Sequence, residues 1–107
     1  MAYKEFAEYI LDQLSDLGEV RCIPMMGGYV FYYRGRIFGG IYGGGRFLVK
    51  ITEPGRRAMP VSVPEVPYEG AKEMLPVTIL EDREKLQQMV ADMFDELPER
   101  KPKKRKG

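Results

Sequence analysis

Residues 20–52 read VRCIPMMGGYVFYYRGRIFGGIYGGGRFLVKIT, a run in which aromatic and β-branched side chains alternate and glycines recur at short intervals. A period of two marks a strand with two distinct faces, and glycine supplies the positive φ that a reversing chain needs. The stretch predicts four consecutive strands at about 20–25, 29–33, 37–42 and 47–52, with turns at Gly27-Gly28, Gly35 and Gly43-Gly44-Gly45. In the last strand Phe47, Val49 and Ile51 share one face and Leu48, Lys50 and Thr52 the other, so only one side is fully apolar. The second strand is apolar on both sides, with Tyr29, Phe31 and Tyr33 against Val30 and Tyr32, and is expected to be covered, at least in part, on each. Gly39-Gly40 inside the third strand requires a close neighbour there, and Pro24 sends its end of the first strand to a sheet edge or bulge.

Two amphipathic segments at opposite ends of the chain supply the cover. Tyr3, Phe6, Ala7, Ile10, Leu11, Leu14 and Leu17 recur at helical spacing, and Gly18 follows where a helix ending in a left-handed residue places it. Leu86, Met89, Val90, Met93, Phe94 and Leu97 form the second stripe, with Asp82 as N-cap, Glu84 in the first turn and Pro98 as the stop. Residues 53–70 contain Pro54, Pro60, Pro64 and Pro67, with room for one helical turn near 56–59, and form the expected mobile or partner-contacting connection. A fifth strand is expected at about 74–80, where Leu75, Val77 and Ile79 share a face and Pro76 again indicates an edge. The fold class is α+β: two layers, an antiparallel sheet of about five strands covered by N- and C-terminal helices. Residues 1–97 form the domain and residues 98–107 a basic, disordered tail.

Composition excludes several chemistries. The chain has no histidine and one cysteine, which removes imidazole bases, Ser-His-Asp and Cys-His catalysis and the usual zinc sites. No cofactor is expected, and no enzymatic activity. With no signal peptide and no apolar run near the roughly 20 residues of a membrane helix, the lone Cys22 fits a reducing, cytoplasmic compartment without membrane contact. Cys22 shares a strand face with Val20 and reads as a small buried hydrophobe. The net charge of +1 hides a division: six Lys/Arg and one Glu follow residue 97, leaving 11 Lys/Arg against 15 Asp/Glu, a balance of −4, before it.

Three sets of residues are candidates for contact. Met25, Met26, Gly27, Gly28 and Tyr29 read either as a backbone loop that admits a partner or as a turn with core methionines. The strand aromatics, flanked by Arg34, Arg36 and Arg46, read either as a base-stacking surface or as core rings with solvated hairpin arginines. Arg100, Lys101, Lys103, Lys104, Arg105 and Lys106 form a cationic run able to bind nucleic acid nonspecifically through counterion release, or simply a solubilising terminus. The glycines do not make a phosphate loop, because Gly43-Gly44-Gly45 leads into a strand and no Gly-Lys-Ser/Thr follows.

Leu17-Gly18 with Val20-Arg21, Pro24-Met25-Met26-Gly27-Gly28-Tyr29, Tyr33-Arg34-Gly35, Phe38-Gly39, Leu48-Val49-Lys50, Tyr68-Glu69-Gly70 and Glu81-Asp82-Arg83-Glu84 resemble, in that order, the N-terminal domain of the TfoX/Sxy family. The resemblance spans about residues 3–97 and implies an architecture similar to secretion chaperones, no catalytic residues, and a regulatory module that acts through protein partners. Longer members carry a second domain and regulate DNA-uptake competence with the cyclic-AMP receptor protein; here the basic tail stands where that domain would begin. A homodimer is expected from the chaperone-like architecture and the doubly apolar second strand, and a nucleic-acid-associated protein anchored by its tail is the alternative.

Overall fold

The computed structural model describes residues 3–98. Helix α1 (Lys4–Gln13) and a 3-10 turn (Ser15–Leu17) lead into a meander of β1 (Val20–Met25), β2 (Gly28–Tyr33), β3 (Arg36–Tyr42) and β4 (Arg46–Val49). Helix α2 (Glu53–Ala58), β5 (Leu75–Pro76), α3 (Arg83–Met93) and a 3-10 turn (Phe94–Glu96) complete the order. The five strands lie in sequence order in one antiparallel sheet, so β1 and β5 are its edges.

Cross-strand register sorts the side chains into two faces. Cys22, Phe31, Gly39, Val49 and Leu75 form one row, and Pro24, Tyr29, Ile41 and Phe47 the next. These rows face the helices, where Ala7, Ile10, Leu14, Leu86, Met89, Val90 and Met93 bury against them. Ile23, Val30, Gly40, Leu48 and Pro76 form a row on the opposite face. The register slips between Phe31 and Tyr32, leaving Phe38 as the extra residue of a bulge. Its fully buried ring lies 6.1 Å from that of Phe31, although strict alternation assigns it to the other face.

Both edge prolines fit their strands. The Arg34 amide donates to the Glu19 carbonyl, which makes Glu19–Arg34 a hydrogen-bonded pair and alternates Arg21–Tyr32 and Ile23–Val30 with it. The backbone of Val20, Cys22 and Pro24 then points away from β2, so the donor that Pro24 lacks is missing on the outer side. Pro76 closes β5 after two residues, whereas the alternation predicts a strand over 74–80. Beyond it the Val77 amide reaches the Phe47 carbonyl at 3.0 Å, the Thr78 amide meets Met59 Sδ, and the chain turns at Ile79.

Helix boundaries differ from the apolar spacing at two places. The first stripe tightens into a 3-10 turn after Leu14 and ends at Gly18, φ 67°. The fourth strand stops at Val49, not Thr52, because the Thr52 hydroxyl accepts from the Gly55 amide at 3.0 Å and caps α2, in which Pro54 occupies the first turn. At the third helix Asp82 caps as expected, accepting from the Lys85 amide at 3.1 Å.

Candidate docking cleft on the outer sheet face

The face away from the helices is only partly covered, and its cover comes from the connection between α2 and β5. That segment is tethered throughout: Glu65 and Met74 exchange backbone hydrogen bonds, and Ser62 Oγ donates to the Pro76 carbonyl at 2.6 Å. The strongest tie is Arg46. Its Nε donates to the Gly43 carbonyl, Nη1 to Glu65 and the Val66 carbonyl, and Nη2 to the Pro67 carbonyl, at 2.8 to 3.2 Å. One guanidinium thus fixes Pro67 and Tyr68 above the sheet.

Beneath that wall lies a cleft of about 230 Å3. Met25 and Met26 form one side, Pro67 and Tyr68 the other, and Val30 and Ile37 the floor. Two glycines let the strands beneath approach closely. Gly28 and Gly40 occupy this face, and a Cβ on either would strike a carbonyl oxygen, that of Ile41 or of Tyr29. The Tyr42 ring lies back over Gly40, and its centroid sits 6.1 Å from that of Tyr68. Burial and the neighbouring Tyr68 push the Tyr42 phenol above its ordinary pKa, which keeps it neutral. Tyr42, Lys50, Pro67 and Tyr68 are shared with a broader depression of about 610 Å3 that runs on to Lys72, Glu73, Glu96 and Pro98.

The candidate residues divide between the two ends of β2. Met25 and Met26 line the cleft, Gly28 packs against the Ile41 backbone of β3, and Gly27 serves the turn. Tyr29 faces the helices and is 8% exposed. Arg34 and Arg36 sit at the far end, where both guanidiniums lie over the Phe94 ring, 4.9 and 4.0 Å from its centroid. Arg36 also donates to the carbonyls of Phe94 and Leu97. Arg36 and Arg46, both half-buried, therefore brace the fold, while Arg34 stays exposed beside Phe94 and Glu19. Cys22 is half-buried on the helix side, and desolvation raises its thiol pKa. Arg100, Lys101, Lys103, Lys104, Arg105 and Lys106 lie outside the described residues.

Sequence reasoning missed Arg46, Lys50, Pro67 and Tyr68 as parts of one site. The proline-rich run does mark the segment, but nothing local says that it returns over β3.

Met26 is placed against its own preference. It and Gly27 both have positive φ, 52° and 81°, as a type I′ hairpin turn requires, and that turn favours Asn-Gly. Met26 is also 77% exposed. Met26→Asn is expected to stabilise the fold by about 0.5 kcal/mol by relieving the left-handed strain, which raises the thermal midpoint by roughly 3 °C. A lowered midpoint in a calorimetric scan would show that the methionine contributes to stability here.

Among the described residues no helix is long and apolar enough to cross a membrane. No curated protein and no solved structure matches the chain. A family model does, over residues 12–96, a span that starts within α1, takes in all five strands and ends in the turn beneath Arg36. The model is that of the TfoX N-terminal domain, and the chain belongs to that family.

Proposed function

We propose that the chain is a non-catalytic, cytoplasmic regulatory module that acts on transcription by docking a protein partner in the cleft of the outer sheet face. One observation supports this reading. Met25, Met26 and Tyr68, all substantially exposed, surround an apolar floor on a face that the helices leave uncovered. Exposed apolar surface of this kind is costly to keep without a partner, and methionine adapts to varied ones. Family membership points the same way, towards a regulatory, competence-related role. The test is genetic. In the source cell, loss of the protein should alter a defined set of transcripts. A full-length chain with Met25→Asp and Tyr68→Asp should reproduce the loss at normal abundance. Wild-type transcripts in that variant would sink the reading.

A homodimer is part of the same proposal. Its support is the edge strand β1, whose outward backbone at Val20 and Cys22 suits strand addition up to Pro24. A monomeric mass by light scattering at tens of micromolar would remove it.

The division of charge favours a second reading, a nucleic-acid-associated protein held by its tail. Its signature is binding of labelled duplex DNA that falls steeply between about 50 and 200 mM salt and vanishes when the six tail cations are replaced by glutamine. No binding by the unaltered chain would dispose of it.

A further inference from the structure

Resting on the docking reading above, we infer that Met25 and Met26 form an oxidation switch: a peroxide converts their thioethers to sulfoxides while the core methionines are spared, and the cleft then rejects its partner. Access to sulfur sets the order of attack. Met25 is 44% exposed and Met26 77%, whereas Met59, Met74, Met89 and Met93 are each 7% exposed or less. The cleft wall therefore reacts first among the described methionines. Other oxidisable groups compete weakly. The chain has no tryptophan and no histidine, and its one thiol, Cys22, is half-buried. Desolvation favours the protonated form of that thiol, and the thiolate is the form that a peroxide attacks.

Backbone strain points to the same place. Met26 holds the left-handed conformation, φ 52°, at a turn position where asparagine is preferred, and it gains little from burial. What it contributes there is a thioether at the rim of the cleft. With hydrogen peroxide, the sulfur gives an electron pair to one oxygen, the O–O bond breaks, an S–O bond forms, and the second oxygen leaves as water. Methionine is oxidised by two electrons and the peroxide reduced by two. A dithiol reductase reverses the step, taking the oxygen off as water while its own thiols join in a disulfide. The sulfoxide sets a polar oxygen at the edge of a floor made by Val30 and Ile37, whose side chains donate no hydrogen bond. An apolar group docking there would bury that oxygen unsatisfied.

Hydrogen peroxide added to the full chain at neutral pH, followed by peptide mapping, tests the site. Sulfoxide should form at Met25 and Met26 at least about tenfold faster than at Met59, Met74, Met89 or Met93, with Cys22 still reduced. In urea all of these methionines should react alike, and methionine sulfoxide reductases with dithiothreitol should restore the original mass. Earlier loss of the Cys22 thiol, or equal rates at the buried methionines of the folded chain, overturns the inference. The switch is tested in the source cell with Met25→Leu and Met26→Leu combined, which keep the wall apolar and of similar volume but take up no oxygen. Peroxide should shift the transcripts that depend on the wild-type protein towards their pattern in its absence, and leave them in place in the leucine variant. An equal shift in both removes the switch and leaves docking standing. The docking reading fails separately, when Met25→Asp with Tyr68→Asp gives wild-type transcripts, and the switch then falls with it.

Discussion

Phe31→Ala should lower the unfolding free energy by about 4 kcal/mol and the urea midpoint by about 2 M, for an m-value near 2 kcal/mol/M. Phe31 is fully buried, with its ring 6.1 Å from that of Phe38 and 5.6 Å from that of Phe47. It stands on β2, between an edge strand and the bulged β3, and faces the helices. Removing the ring withdraws contacts from three strands at once, and close-packed neighbours collapse only partly into the space. Phe31→Leu keeps most of the volume and should cost less than about 1.5 kcal/mol. A loss below about 2 kcal/mol for the alanine would mean that the site closes up, and that the core does not depend on this cluster.

Gly39→Ala should cost about 3 kcal/mol, by overpacking. A Cβ at Gly39 would collide with the Leu48 carbonyl oxygen and sit 3.0 Å from both Val49 Cα and Val49 Cγ1. Backbone atoms of a paired strand cannot rotate away as the end of a side chain can, so β3 and β4 must separate to admit the methyl. Gly43→Ala is the control, because a Cβ there meets nothing within 4 Å. It should be neutral or slightly stabilising, by about 0.5 kcal/mol through a less flexible unfolded chain. Chemical denaturation of the pair distinguishes close approach from chain flexibility. Equal effects of the two substitutions would refute the close approach of β3 to β4.

Alternation and turn glycines are local signals, and they placed β1 to β4 to within a few residues. The prolines told the edges correctly, since a missing donor is tolerated only where no strand follows, and the apolar stripes of α1 and α3 announced which face of the sheet they cover. Phe38 shows the limit: one bulge moves its ring through the sheet, and a bulge depends on register with the neighbouring strand, not on spacing along its own. β5 was overextended for a similar reason. Val77, Ile79 and Leu80 do pack against the core, yet the Val77 amide makes the last bond to β4, and beyond it the Thr78 amide turns to Met59 Sδ. Met25 and Met26, at the hairpin end, identify one wall of the cleft in the sequence, and the proline-rich run over 53–70 marks the segment of the other without placing it. Its opposite wall depends on Arg46 holding a carbonyl 21 residues away, a meeting that requires the whole meander to be folded first.

The Phe94 ring under Arg34 and Arg36 has a mechanical consequence. The domain's last turn is fastened to the β2–β3 hairpin by two guanidinium faces and by the bonds of Arg36 to the carbonyls of Phe94 and Leu97. A pull on the chain beyond Pro98 is therefore borne by the sheet before α3 can peel away. A load there falls on the strand pair that carries Val30 and Ile37 of the cleft floor, so load at the exit and occupancy of the cleft act on the same two strands.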